Sequence, residues 1–311
     1  MRAFVTGGAG FIGSHLVDSL VERDYEITVY DDFSSGREEF ISKHMKIDYF
    51  TLVKADLVDT KKLEKAIEGH DVVFHLAANP DVRAGVQNPD IAKKDILVTY
   101  NLLDAMRKKD IDKIVFSSSS TVYGETPSIP LPEDYGPLLP ISVYGAAKLA
   151  SEGLISSFCH TFDMQSWIFR FANVVGERGT HGVIVDFIRK LRKNPRELEI
   201  LGDGKQKKNY LYVRDCVDGM LFGFDHAEDQ INLFNLGSEG ATQVTRIAEM
   251  VVEEMELKDV EFKYTGGKRG WKGDVPRFQF DITKIKELGW RPQYDSDEAV
   301  RKAIRELLTM M

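Results

Sequence analysis

At 311 residues and a formal net charge of −8, the chain is long enough for one large core and a smaller one, since single cores seldom grow past about 250–300 residues. The acidic balance excludes the broad cationic face that nucleic acid requires. Two cysteines, Cys159 and Cys216, with no CxxC pair and no His/Cys cluster at ligand spacing, exclude a disulfide framework and a zinc site, so no metal is expected. The opening RAFVT reads as a strand rather than a signal peptide, and no run approaches the ~18 consecutive apolar residues of a membrane helix. A cytoplasmic protein with no membrane partner is the expectation.

Short β-branched apolar runs at 3–6, 26–30, 48–54, 71–76, 113–117 and 165–169 alternate with helical stretches. Continuous apolar strands are buried on both faces, and strand/helix alternation implies right-handed crossovers, so the front half is predicted to be an α/β, doubly wound parallel sheet. Between the first two runs Leu16, Val17, Leu20 and Val21 recur at helical spacing and predict a crossover helix with one apolar stripe. Past residue 173 the pattern loosens into loops rich in Gly, Lys and aromatics, then closes on an amphipathic segment at 296–311. The predicted division is 1–172, with a segment near 208–247 returning to it, and 173–311 as a smaller α/β domain. There are no repeats, no low-complexity tract and no clean linker.

The loop after the first strand, Thr6-Gly7-Gly8-Ala9-Gly10-Phe11-Ile12-Gly13, reads as GxGxxG from Gly8 and as GxxGxxG from Gly7. Glycine is required where the turn is tight, where backbone N–H groups approach a pyrophosphate and where the next helix packs against the strand. Asp31 ends the second strand 18 residues after Gly13. A carboxylate there accepts from ribose hydroxyls and repels a 2′-phosphate, which favours NAD over NADP. Asp32 shares or replaces that role. Gly7, Gly10, Phe11, Ile12, Gly13, Ser35 and Gly36 complete this end of the predicted cofactor set, with Asp56 and Leu57 past the third strand and Leu76, Ala77 and Ala78 past the fourth.

Tyr144 and Lys148 stand four apart on a predicted helix, so they share a face. A phenol titrates near 10, and an ammonium within a few ångströms is expected to lower that value and make Tyr144 a base. The run Ser117–Ser120 ends the preceding strand, and Ser119 is the expected hydroxyl that holds the substrate oxygen; Ser118 and Thr121 are neighbours easily confused with it.

TGGAGFIG, HLAA, SSSSTVYG, YGAAK, RFANVVG and NLGS together resemble the extended short-chain dehydrogenase/reductase family nearly end to end, and the serine segment is most similar to its UDP-glucose 4-epimerases. The resemblance implies a Rossmann-type NAD domain, a C-terminal nucleotide-sugar domain, tightly held NAD and a homodimer built from helices at about 91–108 and 144–161. It assigns Ser119, Tyr144 and Lys148 as catalytic, with Lys148 also gripping the nicotinamide ribose. The implied reaction is epimerisation at C4 of a UDP-hexose, UDP-glucose or UDP-galactose, through a transient 4-keto sugar.

Within that family, dehydratases carry an Asp-Glu pair and decarboxylases a glutamate after the catalytic hydroxyl, where this chain has Ser120, Thr121 and Val122. Another nucleotide-sugar epimerase, a net dehydrogenase or reductase, and an NAD-binding regulatory protein remain the alternatives. Ser119, Thr121, Tyr144, Asn173, Lys208, Arg269, Asp274 and Phe278 form the implied substrate set. Lys208-Asn209 stands where the family usually has Arg-Asp, and lysine cannot make arginine's bidentate fork to a phosphate. Arg269 is displaced from its usual place before Asp274, Asp95 replaces a common asparagine, and Val98 a glycine. Phe278 falls where these epimerases separate hexoses from their N-acetylated forms, and its ring is expected to crowd an acetamido group. His75, His160 and His181 read as structural.

Overall fold

The first strand, β1 (Arg2–Thr6), buries Ala3, Phe4, Val5 and Thr6 completely, which is what a run of apolar residues with no polar alternation demands. The computed structural model describes residues 1–79, 82–126 and 129–310, with only the backbone of Ala84. The chain continues through α1 (Phe11–Glu22), β2 (Glu26–Asp31), β3 (Phe50–Lys54), α2 (Thr60–Ala66) and β4 (Val72–His75). It then forms α3 (Ala84–Gln87), α4 (Asp90–Lys108), β5 (Lys113–Ser119), α5 (Val143–Phe162) and β6 (Gln165–Phe171). A further strand, Ile231–Leu236, completes a seven-stranded parallel sheet in the order Ile231–Leu236, β6, β5, β4, β1, β2, β3. Order reverses on either side of β1, which pairs in parallel with both β2 and β4. A doubly wound sheet has its switch point there.

Two compact units emerge from the chain's internal contacts. The first comprises Met1–Val122, Ser142–Arg170 and Leu221–Phe234, and holds nearly all of the sheet. Its core on one face includes Phe4, Leu63, Leu102, Met106, Phe116, Ile155 and Ile168. The second comprises Tyr123–Ile141, Phe171–Met220 and Asn235–Met311. There, helices Val183–Lys193, Val244–Glu254 and Ser296–Met310 close over the parallel pair Glu197–Ile200 and Glu261–Tyr264, burying Ile188, Leu198, Val251 and Ile304. Met311, the end of the predicted amphipathic segment, lies outside the described residues.

The partition differs from the sequence expectation in two places. The segment that returns to the first unit is Leu221–Phe234, narrower than 208–247, because only this stretch leads into the edge strand beside β6. Tyr123–Ile141, expected in the first domain, packs with the second unit, where Tyr123 donates to Asn235 at 2.8 Å and Leu131 N–H donates to the Gln279 carbonyl. No described helix is long and apolar enough to cross a membrane.

Candidate active site

The C-terminal ends of β1 to β5 all open on one edge of the sheet, so the residues that follow them are gathered by topology rather than by sequence proximity. At β1, Gly7 has φ +69°, and a β-carbon on it would lie 2.7 Å from the Ala77 nitrogen. A β-carbon on Gly13 would lie 2.1 Å from the Gly7 carbonyl oxygen. Only glycine permits this close turn into α1, whose first turn starts at Phe11 with Gly10 as the N-cap. Asp31, at the end of β2, is buried and accepts from Ala9 N–H at 2.9 Å and Phe33 N–H at 2.9 Å. Burial raises its carboxyl pKa against the pull of those two bonds. The loop beyond folds back on the glycine turn: Arg37 N–H donates to the Ala9 carbonyl at 2.9 Å, and a β-carbon on Gly36 would meet Asp31 Oδ1 at 2.8 Å. Ser35 is exposed in that loop.

Asp32 and Asp56 are bridged by Lys94 of α4, whose ammonium lies 2.8 Å from Asp56 and 3.5 Å from Asp32. Against the upward push of burial, Ser34 and this ammonium hold Asp32 below the usual carboxylate range. Leu57 is buried, and its carbonyl accepts from Asn101. Leu76, Ala77 and Ala78 continue β4 as a partly buried stretch of small and apolar residues against Thr6 and Gly7. The glycine cradle, the carboxylate that ends β2 and the small residues past β4 fit a dinucleotide laid across the switch point.

The serine run divides its work. Ser117 donates its hydroxyl to the His75 carbonyl at 3.2 Å, and Ser118 donates to Glu152. Ser119 is the one that reaches Tyr144: its hydroxyl is hydrogen-bonded to the phenol and accepts from Thr121 N–H at 3.2 Å and Thr121 Oγ1 at 3.0 Å. Ser142 caps α5 by accepting from Gly145 N–H at 3.0 Å, which fixes the first turn that carries Tyr144. Lys148 is 5% exposed and donates to the Ser117 carbonyl at 2.7 Å, with Nζ 4.8 Å from the Phe116 ring centre and 5.9 Å from that of Tyr144.

The charge balance departs from the sequence expectation. Burial pushes the Tyr144 phenol above its ordinary value and the Asp95 carboxylate pushes it further, with only Ser119 acting downward. Lys148 is lowered to about 8 by burial, against the support of Asp95 and Glu152. Its ammonium is aimed at a strand carbonyl rather than at the phenol, so shared-face spacing places the pair together without making the lysine the group that sets the tyrosine's acidity. His75 is neutral, bonded to Thr6 at 2.8 Å and Thr99 at 3.1 Å, and burial followed by the Lys148 charge lowers it to about 3.

In the second unit, Asn173 N–H donates to the Asn209 carbonyl, and its side chain bonds Tyr210. Lys208 pairs directly with Asp274, whose other oxygen accepts from Gly270 N–H at 3.0 Å. Arg269 donates to the Asp274 carbonyl at 2.6 Å and to Glu125 at 2.6 Å. Phe278 is buried one rung across from Lys208 and meets Phe280 edge-on. Five of the eight expected substrate residues therefore lie in this unit, where Lys208 and Asp274 bond each other. Asn209, in place of the family's acid, donates to Ser238 and Gly240 and pins the NLGS turn. The Lys94 bridge, Glu125 and Glu152 were not singled out by sequence; only Glu152 left a signal, as the third member of an i, i+4, i+8 series with Tyr144 and Lys148. Among the described residues no group of three or more His, Cys, Asp or Glu is placed to hold a metal ion.

Comparison with known proteins agrees with this fold. Residues 3–237 match the model of the NAD dependent epimerase/dehydratase family. A UDP-glucose 4-epimerase from Mycolicibacterium smegmatis is 34% identical over 312 residues, covering 98% of this chain and 97% of that protein. A crystal structure of a UDP-galactose 4-epimerase is 42% identical, covers 100% of both chains and superposes with a TM-score of 0.89. A UDP-N-acetylglucosamine 4-epimerase from Methanobrevibacter ruminantium, solved with UDP-N-acetylmuramic acid, is 30% identical with a TM-score of 0.89, covering 100% of this chain and 99% of that one. The chain belongs to the NAD dependent epimerase/dehydratase family of extended short-chain dehydrogenases/reductases, and NAD is its cofactor.

Asp95 raises both Tyr144 and Lys148. Asp95→Asn removes that charge while keeping side-chain shape, so both groups titrate at lower pH; a tyrosinate absorbance titration should show the Tyr144 step moved down by about one unit or more. An unchanged titration contradicts the coupling.

Proposed function

We propose that the protein is an isomerase that inverts C4 of a UDP-hexose, interconverting UDP-glucose and UDP-galactose. The observation that carries the reading is the Ser119–Tyr144 hydrogen bond beside a buried Lys148, on the same sheet edge as the glycine cradle. When bound, NAD supplies the acceptor for the hydrogen leaving C4 and a cationic ring.

Epimerisation takes a proton from the 4-hydroxyl and later returns one to the 4-keto oxygen, so one group must serve as base and then as acid. Tyr144 fills both roles. Its raised pKa keeps the phenol protonated at rest, and Ser119, bonded to it, supplies the path for the proton. Lys148, its ammonium 5.9 Å from the Tyr144 ring centre, adds a positive charge to the site without setting the phenol's acidity. No carboxylate stands at Ser120, Thr121 or Val122 to expel water, which favours epimerisation over elimination.

Asn173, Lys208 and Arg269 are proposed to hold the nucleotide diphosphate, with Asp274 near the uridine ribose. A firmly held remote handle lets the sugar ring turn between the two halves of the reaction. Lys208 acts as a point charge, and Arg269 reaches the same place through Asp274. Phe278 is proposed to limit the 2-substituent to a hydroxyl. Val86, Leu97, Tyr100 and Phe162 leave apolar surface exposed on α3, α4 and α5, which supports the homodimer reading.

The protein as purified should convert UDP-galactose to UDP-glucose with no added oxidant, and Tyr144→Phe should lower kcat by about 10²–10⁴-fold in the same coupled assay; full activity in that variant rules out the base. Phe278→Ser should raise kcat/KM for UDP-N-acetylglucosamine relative to UDP-glucose by about tenfold or more, and equal use of both sugars by the unaltered protein refutes the role of the ring. Sedimentation velocity should find a dimer that Tyr100→Glu dissociates; a wild-type monomer contradicts the interface.

A further inference from the structure

Glu152 and Arg170 form an ion pair whose side chains are 8% and 4% exposed. Arg170 donates through Nε to Oε1 at 3.0 Å and through Nη2 to Oε2 at 2.8 Å, and the Ser118 hydroxyl adds a third bond to Oε1 at 2.5 Å. Burying such a pair sacrifices hydration that its Coulomb attraction barely restores, so stability alone does not account for it. Its place in the fold suggests another use.

Glu152 lies one turn beyond Lys148 and two beyond Tyr144 on the same face of α5. Three consecutive residues of β5 engage these three. Ser119 bonds Tyr144, the Ser117 carbonyl accepts from Lys148, and Ser118 donates to Glu152. A slide of α5 along β5, or its rotation, breaks all three contacts together. The Glu152 contact is tied to a further strand through Arg170 near the end of β6.

We propose that Glu152 and Arg170 are positioning residues: their bidentate pair clamps α5 against β5 and β6, holds the Ser119–Tyr144 proton path in register and supports the charge on Lys148. The proposal rests on Tyr144 being the base. The charged and titratable groups facing Lys148 are Asp95 from α4, His75 from β4, and Tyr144 and Glu152 from α5, with Arg170 behind Glu152. Removing the Glu152 charge leaves Arg170 uncompensated, and both changes disfavour the ammonium. Lys148 then titrates at lower pH.

The test compares the NAD-loaded wild type with Glu152→Gln and Ser118→Ala. For Glu152→Gln, kcat with UDP-galactose should fall about tenfold or more with KM nearly unchanged. The Lys148 titration, followed by NMR of lysines labelled at Cε and assigned with Lys148→Arg, should move down by about one unit. A wild-type kcat, or a lower kcat with an unmoved titration, overturns the proposal, because a merely structural role does not shift that lysine. Ser118→Ala keeps both charges and decides the matter if Glu152→Gln does not fold: kcat about threefold or more lower at unchanged KM supports the clamp, and wild-type kcat refutes it. Failure of the wild type to turn over any UDP-hexose refutes the enzymatic reading alone, since the lysine titration needs no turnover.

Discussion

A buried ammonium held by a strand carbonyl governs the site. Lys148 donates to the Ser117 carbonyl at 2.7 Å, 5% exposed, with Phe116 and Tyr144 rings on its flanks. Water would stabilise that charge far better than this pocket does, and burial accordingly brings it down to about 8. A lysine poised there is cationic at neutral pH yet sensitive to each neighbour. Asp95 and Glu152 keep it charged, and His75 stays neutral partly because of it.

The sheet makes this arrangement possible. Parallel strands deliver their C-terminal ends to one edge, so the glycine turn after β1, Asp31 after β2, Leu76–Ala78 after β4 and Ser119 at the end of β5 converge although they span more than a hundred residues. The apolar strands beneath are buried and fixed, and α5 is capped by Ser142 and anchored to β5. Chemistry then depends on small displacements of few side chains, which a rigid base keeps small.

Six strands were legible because continuous apolar runs bounded by turns are a strong signal, and each predicted run overlaps an observed strand. The glycine turn was legible because its backbone geometry demands glycine, and Asp31 because a carboxylate ends the second strand 18 residues after Gly13. What sequence could not convey was burial. The spacing of Tyr144 and Lys148 correctly implies one helix face, but the direction of the phenol's pKa depends on Asp95 and on desolvation, which only the packed structure reveals. Likewise the 66 residues between Lys208 and Asp274 hide that they bond each other. Tyr123–Ile141 was misplaced because its partners, Asn235 and Gln279, lie more than a hundred residues downstream.

The central claim is that Tyr144 and Ser119 move only the hydroxyl proton while the hydrogen on C4 leaves and returns to the same carbon without meeting water. UDP-galactose carrying deuterium at C4 tests this directly. The account predicts UDP-glucose with the deuterium still at C4 by NMR, and product that has exchanged the label for solvent hydrogen contradicts it.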